Sequence, residues 1–266
     1  MRSSNRHWWP QLAPLLLVAV AGVAAARAAD PQTPQGKMSS DGHWLEPRVD
    51  DMPHLPMGPF VRLEDGGILT VDGVNALISQ DAGKTWREQP IFKDTQSYRI
   101  RPERQLIRTR SGVIILAFMN DAERKWTWSD DLKDAPGAVL PTYAVRSLDG
   151  GKTWEEPQKL HDEWTGAIRD IIQTEKGNIV FTSMQILHDP GRHAVLTYTS
   201  GDDGETWQRS NLIDLGGAGH HDGAMEATLV QLRDGRLWKL IRTTLGRFWQ
   251  AYSTDERYWR ELSPTD

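Results

Sequence analysis

The sequence predicts an all-β fold made of repeated four-stranded units, and three observations lead to that prediction. The motif Ser-x-Asp-x-Gly-x-Thr-Trp occurs at 79–86, 147–154 and 200–207, with a decayed copy at 253–259. The motif aspartates lie 68, 53 and 53 residues apart, a period that indicates an array of similar units. Short apolar runs separated by glycine-containing turns recur ahead of each motif, which is typical of β-hairpins.

The repeated motif reads as the corner of a β-hairpin. An aspartate followed two positions later by glycine is typical of turns, because the carboxylate accepts backbone N–H bonds and glycine adopts the positive φ that other residues resist. The tryptophan is a large apolar anchor that fixes the turn to its sheet. We therefore assign the motif aspartates and tryptophans to the scaffold rather than to the chemistry.

The segments before the motifs share the pattern strand, polar turn with glycine, strand. They lie at 106–116, 171–181 and 229–238, with a shorter version at 61–69. A further strand is predicted just before three of the motifs, at 141–146, 193–199 and 248–252. Each unit thus contains about four short strands, which is the content of a β-propeller blade.

The repeated motif resembles the Asp box, also called the BNR repeat, of the sialidase superfamily. The resemblance extends from about residue 58 to the end of the sequence. It implies a β-propeller of the sialidase type, for which six blades are expected, whereas about four units are present here. We therefore expect an incomplete set of blades at 58–266. Asp boxes also occur in propellers that are not sialidases, so the motif indicates the fold more strongly than the reaction.

The first 57 residues are predicted to lie outside the blades. Residues 1–28 read as a secretory signal peptide, with a positive start, an apolar run at 12–26 and a small-residue cleavage site at 26–28. An uncleaved anchor is the alternative, but the run is short for a membrane span. Residues 29–57, rich in proline and polar side chains, read as a linker. We expect a secreted or periplasmic protein with no stable membrane span after signal cleavage.

The composition argues against several kinds of partner. The chain has no cysteine, so its stability must come from a large β core. The net charge is −5 and no basic block is present, which argues against a nucleic-acid partner. The histidines at 188–193 form no convincing metal-ligand set. We expect neither a metal nor a cofactor.

The second unit opens with a cluster of arginines. The segment 98–104 reads Tyr-Arg-Ile-Arg-Pro-Glu-Arg, similar to the Phe/Tyr-Arg-Ile-Pro motif of sialidases in which the arginine binds the substrate carboxylate. The match is imperfect, because Arg101 stands inside the motif, so either Arg99 or Arg101 could be the counterpart. Arginine suits this task because its planar fork pairs with a carboxylate at two points.

Two more arginines occupy equivalent positions in successive units. Arg104 and Arg169 each lie eight residues before the turn glycine of their unit, which places them where an inner strand begins, at the rim of a central channel. A charge at the mouth of an apolar strand is costly without a partner or a ligand. Both are therefore candidate substrate-binding residues. Asp170 is a candidate catalytic carboxylate, with a local ion pair to Arg169 as the structural alternative.

A longer excursion at 120–138 interrupts the second unit. Long loops on a rigid β scaffold often carry binding residues. In sialidases an aspartate on a loop of this general region is the general acid. The sequence leaves four candidates for that role open: Asp121, Asp130, Asp131 and Asp134.

The fourth unit carries the most chemistry. Glu226 lies nine residues before the turn glycine, at the start of an inner strand, and Arg242 follows on the next antiparallel strand. In sialidases a glutamate and an arginine in this relation have separate roles. The glutamate activates a tyrosine that would otherwise be neutral at working pH, and the arginine belongs to the carboxylate-binding triad. The resemblance gives Glu226 and Arg242 those roles. Mutual neutralisation of the two side chains is the alternative.

Three polar residues precede Glu226 directly. His220, His221 and Asp222 can supply an acid or base group. Asp222 is a candidate catalytic residue, and the two histidines are candidate substrate-binding residues.

Two functions from different classes stay open. One is a secreted, sialidase-like glycoside hydrolase that acts on a terminal, acidic sugar of a glycan or oligosaccharide. The other is a non-catalytic propeller that binds a glycan or another partner. None of the five tyrosines stands in a recognisable nucleophile context. Four tryptophans could line a sugar site, although packing is the favoured interpretation of each: Trp126, Trp128, Trp164 and Trp249.

Overall fold

The computed structural model describes residues 36–39, 41–49 and 55–266, and these divide between two compact units, Met1–Pro53 and His54–Asp266. The predicted signal peptide and part of the predicted linker lie outside the described residues. In the first unit, β1 (Lys37–Met38) and β2 (Trp44–Leu45) form an antiparallel pair. Within the described residues, no helical segment has the length and apolar character to cross a bilayer.

The compact unit His54–Asp266 contains four antiparallel sheets, and each is a meander of strands that follow one another in the chain. The first two sheets are β3 (Val61–Arg62), β4 (Ile68–Asp72), β5 (Asn75–Ser79) and β6 (Arg87–Pro90), then β7 (Gln105–Arg108), β8 (Ile114–Met119), β9 (Thr142–Ser147) and β10 (Gln158–His161). A short 3-10 helix spans Asp121–Glu123 between β8 and β9.

The third and fourth sheets repeat this plan. The third contains β11 (Ile171–Gln173), β12 (Ile179–Leu187), β13 (Arg192–Ser200) and β14 (Gln208–Arg209), with β15 (Ile213–Asp214) also paired to β13. The fourth contains β16 (Ala224–Gln231), β17 (Leu237–Thr243), β18 (Trp249–Ser253) and β19 (Arg260–Pro264). Four such sheets confirm the predicted fold class, an all-β chain of propeller blades.

The first strand of each blade is the innermost. β3 contacts β7, β7 contacts β11, and β11 contacts β16, so the four first strands form one series. The hydrophobic cores lie between neighbouring blades. One core joins the first and second blades around Leu69 and Phe118, the next joins the second and third around Ile115 and Phe181, and the last joins the third and fourth around Val195.

The Asp boxes form the turns between the third and fourth strands, and each uses the same hydrogen bonds. In the second blade, the Oδ1 atom of Asp149 accepts from the Ser147 hydroxyl at 3.0 Å and from the backbone N–H of Thr153 at 2.9 Å. Its Oδ2 atom accepts from the Thr153 hydroxyl at 2.7 Å. The boxes at Asp81 and Asp202 repeat these contacts. These aspartates are therefore part of the scaffold.

The glycine of the Asp box packs against the preceding blade. Gly151 has a φ of +85°, and a Cβ atom there would lie 2.2 Å from the Cδ1 atom of the fully buried Leu69. At Gly204 the corresponding distance to Ile115 Cδ1 is 2.9 Å. The glycine is therefore required both by its backbone conformation and by the close approach of the neighbouring blade.

The decayed fourth copy uses a different contact with its neighbour. Asp255 still accepts from the Ser253 hydroxyl and from backbone N–H groups of its own turn. The next residue, Glu256, has a φ of +62° and is fully buried. Its Oε2 atom accepts from Asn178 at 2.7 Å and from Thr174 at 3.2 Å, both on the third blade. A buried carboxylate thus replaces the glycine contact.

A buried lysine lies in the core between the third and fourth blades. Lys239 is fully buried, and its Nζ atom lies 3.8 Å from the ring centroid of Trp259. The Nζ atom has no hydrogen-bond acceptor among the described residues. Burial lowers the pKa of Lys239 well below its usual value of 10.5.

Candidate functional site

The two ends of each blade differ, and the candidate site lies at the end opposite the Asp boxes. In the fourth blade, Ser253 of the Asp box pairs with Leu237, at the start of β17. Arg242, near the end of β17, pairs with Met225, near the start of β16. The inner strands therefore begin at one end, the cavity end, and the Asp boxes lie at the other, the Asp-box end.

A cavity of about 310 Å³ occupies the cavity end. Residues of the second, third and fourth blades line it. The polar and aromatic members are Arg101, Glu103, Trp164, His193, His221, Glu226 and Arg242, and the others are Leu140, Gly166, Ala167, Met184 and Met225.

Glu226 is held by two arginines from different blades. Its Oε1 atom accepts from Arg169 Nη2 at 3.0 Å, and its Oε2 atom accepts from Arg242 Nη1 at 2.9 Å. The side chains of Arg169 and Arg242 are 40% and 51% exposed, against 29% for Glu226. Each guanidinium therefore keeps an exposed part that can reach a ligand while one nitrogen contacts the glutamate.

A β-bulge sets the direction of the Glu226 side chain. Glu226 and Ala227 together lie opposite the single residue Ile241, because the register shifts between Met225 and Thr228. Glu226 has a φ of +40°, a left-handed conformation that costs a non-glycine residue about 1–3 kcal/mol. Bulges of this kind re-aim side chains and are frequent beside active sites. The backbone strain is therefore an observation in favour of a functional role.

The arginines keep Glu226 ionised. Burial acts to raise the pKa of Glu226, but the hydrogen bonds from Arg169 and Arg242 outweigh it, so the pKa lies below its usual 4.5. Glu226 is therefore a carboxylate at neutral pH. It can stabilise positive charge or accept a proton, but it does not hold a proton to donate.

Arg101, rather than Arg99, lies in the cavity. Arg101 donates through Nε to Glu103 at 2.5 Å and through Nη1 to Asp121 at 3.1 Å. Arg99 is 68% exposed and lies 3.8 Å from Asp121 without lining the cavity. Asp121 is thus the one loop aspartate of the four candidates that contacts a cavity-lining arginine.

Two predicted site residues have scaffold contacts instead. Arg104 is 6% exposed and donates to the backbone carbonyl oxygens of Pro102, Met57 and Val71, which ties the second blade to the first. The prediction that Arg104 lies at the rim of the channel and binds substrate is therefore wrong, because its side chain is buried against the first blade. Asp170 makes no ion pair with Arg169. Its Oδ2 atom accepts from Thr228, through the hydroxyl, and from the backbone N–H of Leu229 at 3.0 Å, so it links the third and fourth blades.

The polar residues before Glu226 divide between the cavity and its border. His221 lines the cavity. Asp222 accepts from the backbone N–H of Ala218 at 3.1 Å and from the Thr244 hydroxyl at 3.3 Å, which fixes the turn rather than placing a free carboxyl in the cavity. His220 contacts Trp126, with ring centroids 5.0 Å apart, and Trp128, at 5.5 Å.

The aromatic side chains form a cluster against one wall of the cavity. The rings of Trp126 and Trp164 lie 4.1 Å apart, and Trp164 lines the cavity. Trp249 instead packs on the core between the third and fourth blades. All five tyrosines lie within residues 55–266, and none lines the cavity.

The other loop aspartates have partners of their own. Asp130 accepts from Trp128 Nε1 at 3.2 Å, and the buried Asp134 contacts His188 Nδ1 at 2.8 Å. Asp131 is exposed. Over the part of the chain that the structure describes, no group of three or more histidine or acidic side chains is arranged to hold a metal ion.

Two cavity residues were missed by the sequence reasoning. Glu103 lies within the arginine cluster at 98–104 and pairs with Arg101. His193 is the second residue of β13, at the end of the polar segment 188–193, and it was not named as a site residue from the sequence. It is 6% exposed and lines the cavity, and its Nε2 atom lies 3.0 Å from the carbonyl oxygen of His220. Its position beside a strand start was the available signal.

The chain belongs to the family of proteins with a BNR repeat-like domain, whose sequence profile matches residues 73–266. This membership and the four blades agree with the resemblance to the sialidase superfamily. A comparison with curated proteins finds no match.

Solved structures with a similar fold include several glycoside hydrolases. A protein of unknown function from Dyadobacter fermentans has a TM-score of 0.53 at 19% identity over 77% of this chain and 67% of its own. A Hadza microbial sialidase has a TM-score of 0.51 at 16% identity, covering 77% and 45%. An α-L-arabinofuranosidase from Fusarium graminearum has a TM-score of 0.52 at 15% identity, covering 77% and 64%.

These similarities concern the fold. At identities of 15–19% they show that this chain has the β-propeller of sialidases and related glycosidases. The chain spans between 45% and 67% of the length of those three structures. The fold is therefore glycoside hydrolase-like, while the substrate and the reaction have to be argued from the site.

Proposed function

We propose that this protein is a sialidase-like glycoside hydrolase that acts on a terminal acidic sugar of a glycan. The observation that carries the proposal is the convergence of Arg169 and Arg242 on Glu226 at the edge of the cavity. Two exposed guanidinium groups beside a concave site suit the planar carboxylate of an acidic sugar, which they can bind through paired hydrogen bonds.

The cavity has the size and lining of a monosaccharide site. Its volume of about 310 Å³ lies at the lower end of ligand pockets, which run from roughly 300 to 1,000 Å³. Arg101 and Arg242 both belong to the lining, and Arg169 reaches its edge through Glu226. The ring of Trp164 offers an apolar face for the C–H groups of a sugar. We propose that the carboxylate faces the arginines and the ring carbons face Trp164.

Glu226 is proposed to stabilise the positive charge that develops on the sugar ring. Hydrolysis of a glycoside passes through an oxocarbenium-like transition state, and an ionised carboxylate next to the ring lowers its energy. Glu103 supplies a second carboxyl group in the same cavity. Two-carboxylate hydrolysis therefore fits this lining better than a tyrosine nucleophile supplied by the described residues.

We also propose that the protein works outside the cytoplasm, either secreted or in the periplasm. This proposal rests on the signal-peptide features of residues 1–28. Terminal sugars of extracellular glycans would be within reach of such a protein.

A non-catalytic glycan-binding role is the second candidate. It is favoured by one observation: both oxygens of Glu226 accept hydrogen bonds from arginines, and the pKa of the carboxyl is lowered. A carboxylate in that state is a weak base, so the same face could bind an acidic sugar without cleaving its linkage.

The substitution Glu226→Gln separates the two functions. We would measure turnover of fluorogenic glycosides of N-acetylneuraminic acid and glucuronic acid, and binding of the free sugars by calorimetry. For an enzyme, turnover should fall by roughly 100-fold or more while the sugar still binds. Wild-type protein that binds an acidic sugar but releases no fluorophore would favour the binding role.

The substitution Arg242→Ala tests the sugar class. Loss of a charge-assisted contact of about 1.5–3 kcal/mol should weaken binding of either acidic sugar by roughly 10- to 150-fold. Arg99→Ala is the matched control, because Arg99 is 68% exposed and lies outside the cavity lining. Equal affinities of wild type and Arg242→Ala would refute the role of Arg242.

A further inference from the structure

We infer that the Nδ1 atom of His193 accepts a hydrogen bond from a hydroxyl or N–H group of the sugar bound in the cavity, so that His193 determines specificity for that group. The inference rests on the proposed function, since it concerns the same cavity. It adds a neutral acceptor to a site otherwise described by its charges.

The backbone holds His193 firmly. In β13 it pairs with Ile186 of the neighbouring strand β12, and on its other side it forms a parallel bridge with Gly223. Its backbone N–H donates to the carbonyl oxygen of Asp222 at 2.9 Å. A Cβ atom on Gly223 would lie 2.1 Å from the carbonyl oxygen of His193, so the two segments are in close contact. The imidazole therefore starts from a rigid position at the cavity end.

The hydrogen bond of Nε2 fixes the tautomer of the ring. Nε2 lies 3.0 Å from the carbonyl oxygen of His220. A carbonyl oxygen can only accept, so Nε2 must carry the hydrogen and donate it. In a neutral imidazole the other nitrogen is then an acceptor. Nδ1 consequently presents a lone pair.

The surroundings keep the ring neutral. Burial lowers the pKa of His193, the hydrogen bond with His220 acts against it, and the positive charges that His221 and His220 can carry lower the pKa further. Glu226 has a small opposing influence. A ring with a pKa below 6.5 is neutral at neutral pH, and its Nδ1 atom is free of a proton.

The lone pair of Nδ1 has no protein partner. The atom is buried, and no donor reaches it among the described residues. A buried acceptor left unpaired is destabilising, because it has lost its hydrogen bonds to water and gained none in return. The His193 side chain lines the cavity beside Glu226 and Arg242, so a bound group is the available donor, and it must displace the atoms that cover Nδ1 in the free protein. A buried orphan acceptor in a concave site is the arrangement expected where a ligand completes the hydrogen bond.

The chemistry of an acceptor selects the face of the ligand that meets it. A neutral lone pair repels a carboxylate and attracts a hydroxyl or an amide N–H. The ligand carboxylate should therefore lie toward Arg242, with a donor group toward His193. Sites built to bind a hydroxyl discriminate strongly against an analogue that lacks it, because the site acceptor is then left unpaired.

Two conservative substitutions separate this role from a structural one. In His193→Gln, the amide nitrogen can take the position of Nε2 and still donate to the carbonyl of His220, but no acceptor remains at the position of Nδ1. In His193→Asn, the shorter amide can place its oxygen near the position of Nδ1, but the bond to His220 is lost. The ligand-binding role depends on the acceptor at the position of Nδ1, and the structural role depends on the donor at the position of Nε2.

Binding of N-acetylneuraminic acid and glucuronic acid would be measured by calorimetry, and stability by thermal unfolding, for both variants. We expect His193→Gln to bind at least about tenfold more weakly at an unchanged Tm. We expect His193→Asn to keep its affinity within about threefold at a lower Tm. An unchanged affinity of His193→Gln, or a greater loss in His193→Asn, would overturn the inference.

A second measurement does not depend on an acidic sugar. In protein labelled with ¹⁵N-histidine, the free protein should show His193 as the neutral Nε2–H tautomer at pH 7. A proton on Nδ1 at that pH would overturn the inference by itself. If wild type binds no acidic sugar while this tautomer is found, the proposed function fails. Methyl galactoside, a neutral sugar, would then be added to the labelled wild-type protein. A shift of the Nδ1 resonance would support the inference, and an unchanged resonance would refute it.

Discussion

The two ends of each blade hold their charged side chains by different means. At the Asp-box end, Asp149 finds its hydrogen-bond partners, Ser147, Lys152 and Thr153, within four residues of itself. At the cavity end, Glu226 is held by Arg242 on the next strand and by Arg169 on the neighbouring blade. The scaffold is thus satisfied by local sequence, and the candidate site is assembled from separate blades.

The difference predicts that the two ends can be damaged separately. Substitutions at the Asp-box end should lower stability and leave ligand binding unchanged. Substitutions of the charged cavity residues Glu226 and Arg242 should do the reverse, since these side chains are partly exposed. The predictions that follow test this separation in order of decreasing size.

The largest effect is expected for Gly151→Ala. The new Cβ atom would lie 2.2 Å from Leu69 Cδ1, and the residue would keep a φ of +85°. We expect a loss of about 2–4 kcal/mol in the free energy of unfolding, from overpacking and backbone strain together.

Gly150→Ala is the control for this prediction. Gly150 has a φ of +76°, but nothing lies within 4 Å of its Cβ position. Only strain of about 1 kcal/mol should remain. Urea unfolding of both variants checks the difference, and equal losses would show that the contact between blades is unimportant.

The next effect is expected for Asp149→Ala. The change removes the acceptor for the Thr153 and Ser147 hydroxyls and for two backbone N–H groups. We expect a loss of about 2 kcal/mol, because hydrogen bonds to a charged group contribute more than neutral ones and the site is partly open to water. Binding of an acidic sugar should stay within twofold of wild type. Weaker binding at unchanged stability would break the separation between the ends.

Lys239→Met tests the interior between the third and fourth blades. Replacing a buried, unpaired amine by an apolar side chain of similar length should raise the free energy of unfolding by about 1–2 kcal/mol at pH 7. Because the pKa of Lys239 is lowered in the folded protein, the unfolded chain binds more protons than the folded protein between that lowered pKa and pH 10.5.

The pH dependence of Lys239 has a definite sign. Wild-type stability should rise with pH between the lowered pKa of Lys239 and 10.5. Lys239→Met should lose that rise. Urea unfolding midpoints of both proteins from pH 7 to pH 10.5 measure this rise in stability. If the midpoints of wild type and Lys239→Met change in parallel with pH, the lysine has a partner that stabilises its charged form.

The smallest effect concerns acid. Hydrogen bonds from the Thr85 hydroxyl and backbone N–H, with a further one from Ser79, lower the pKa of Asp81 from 3.8 to about 2. The stability that this carboxylate contributes is present above pH 3.8 and is lost as the pH falls toward 2. Asp81→Asn should flatten the decline of the urea midpoint between pH 4 and pH 2.5. An unaltered decline would assign the acid sensitivity to other groups.

The repeated part of the fold could be predicted closely from the sequence. The expected strands at 141–146, 193–199 and 248–252 match β9, β13 and β18 to within one residue at either end. The Asp boxes were predictable because their chemistry is complete within one turn. Periodicity and local hydrogen bonding carry this information along the chain.

The partners at the cavity end could not be predicted in the same way. Spacing placed Arg104 and Arg169 at equivalent heights in successive blades, but it did not say which way each side chain points. Arg104 turns toward Val71 on the first blade, and Arg169 toward Glu226, 57 residues away. The sequence could place His193 near the start of a strand, but it could not show that Nδ1 lacks a protein partner, which only the surrounding structure reveals.

The buried Glu256 has a consequence for treating the blades as interchangeable modules. The second and third blades each contact the preceding blade through a glycine. The fourth blade contacts the third through the carboxylate of Glu256, which accepts hydrogen bonds from Asn178 and Thr174. A third unit transplanted into the fourth position would leave those two side chains without their acceptor. Engineering by repeat shuffling would therefore have to move the β11–β12 turn together with the unit that follows it.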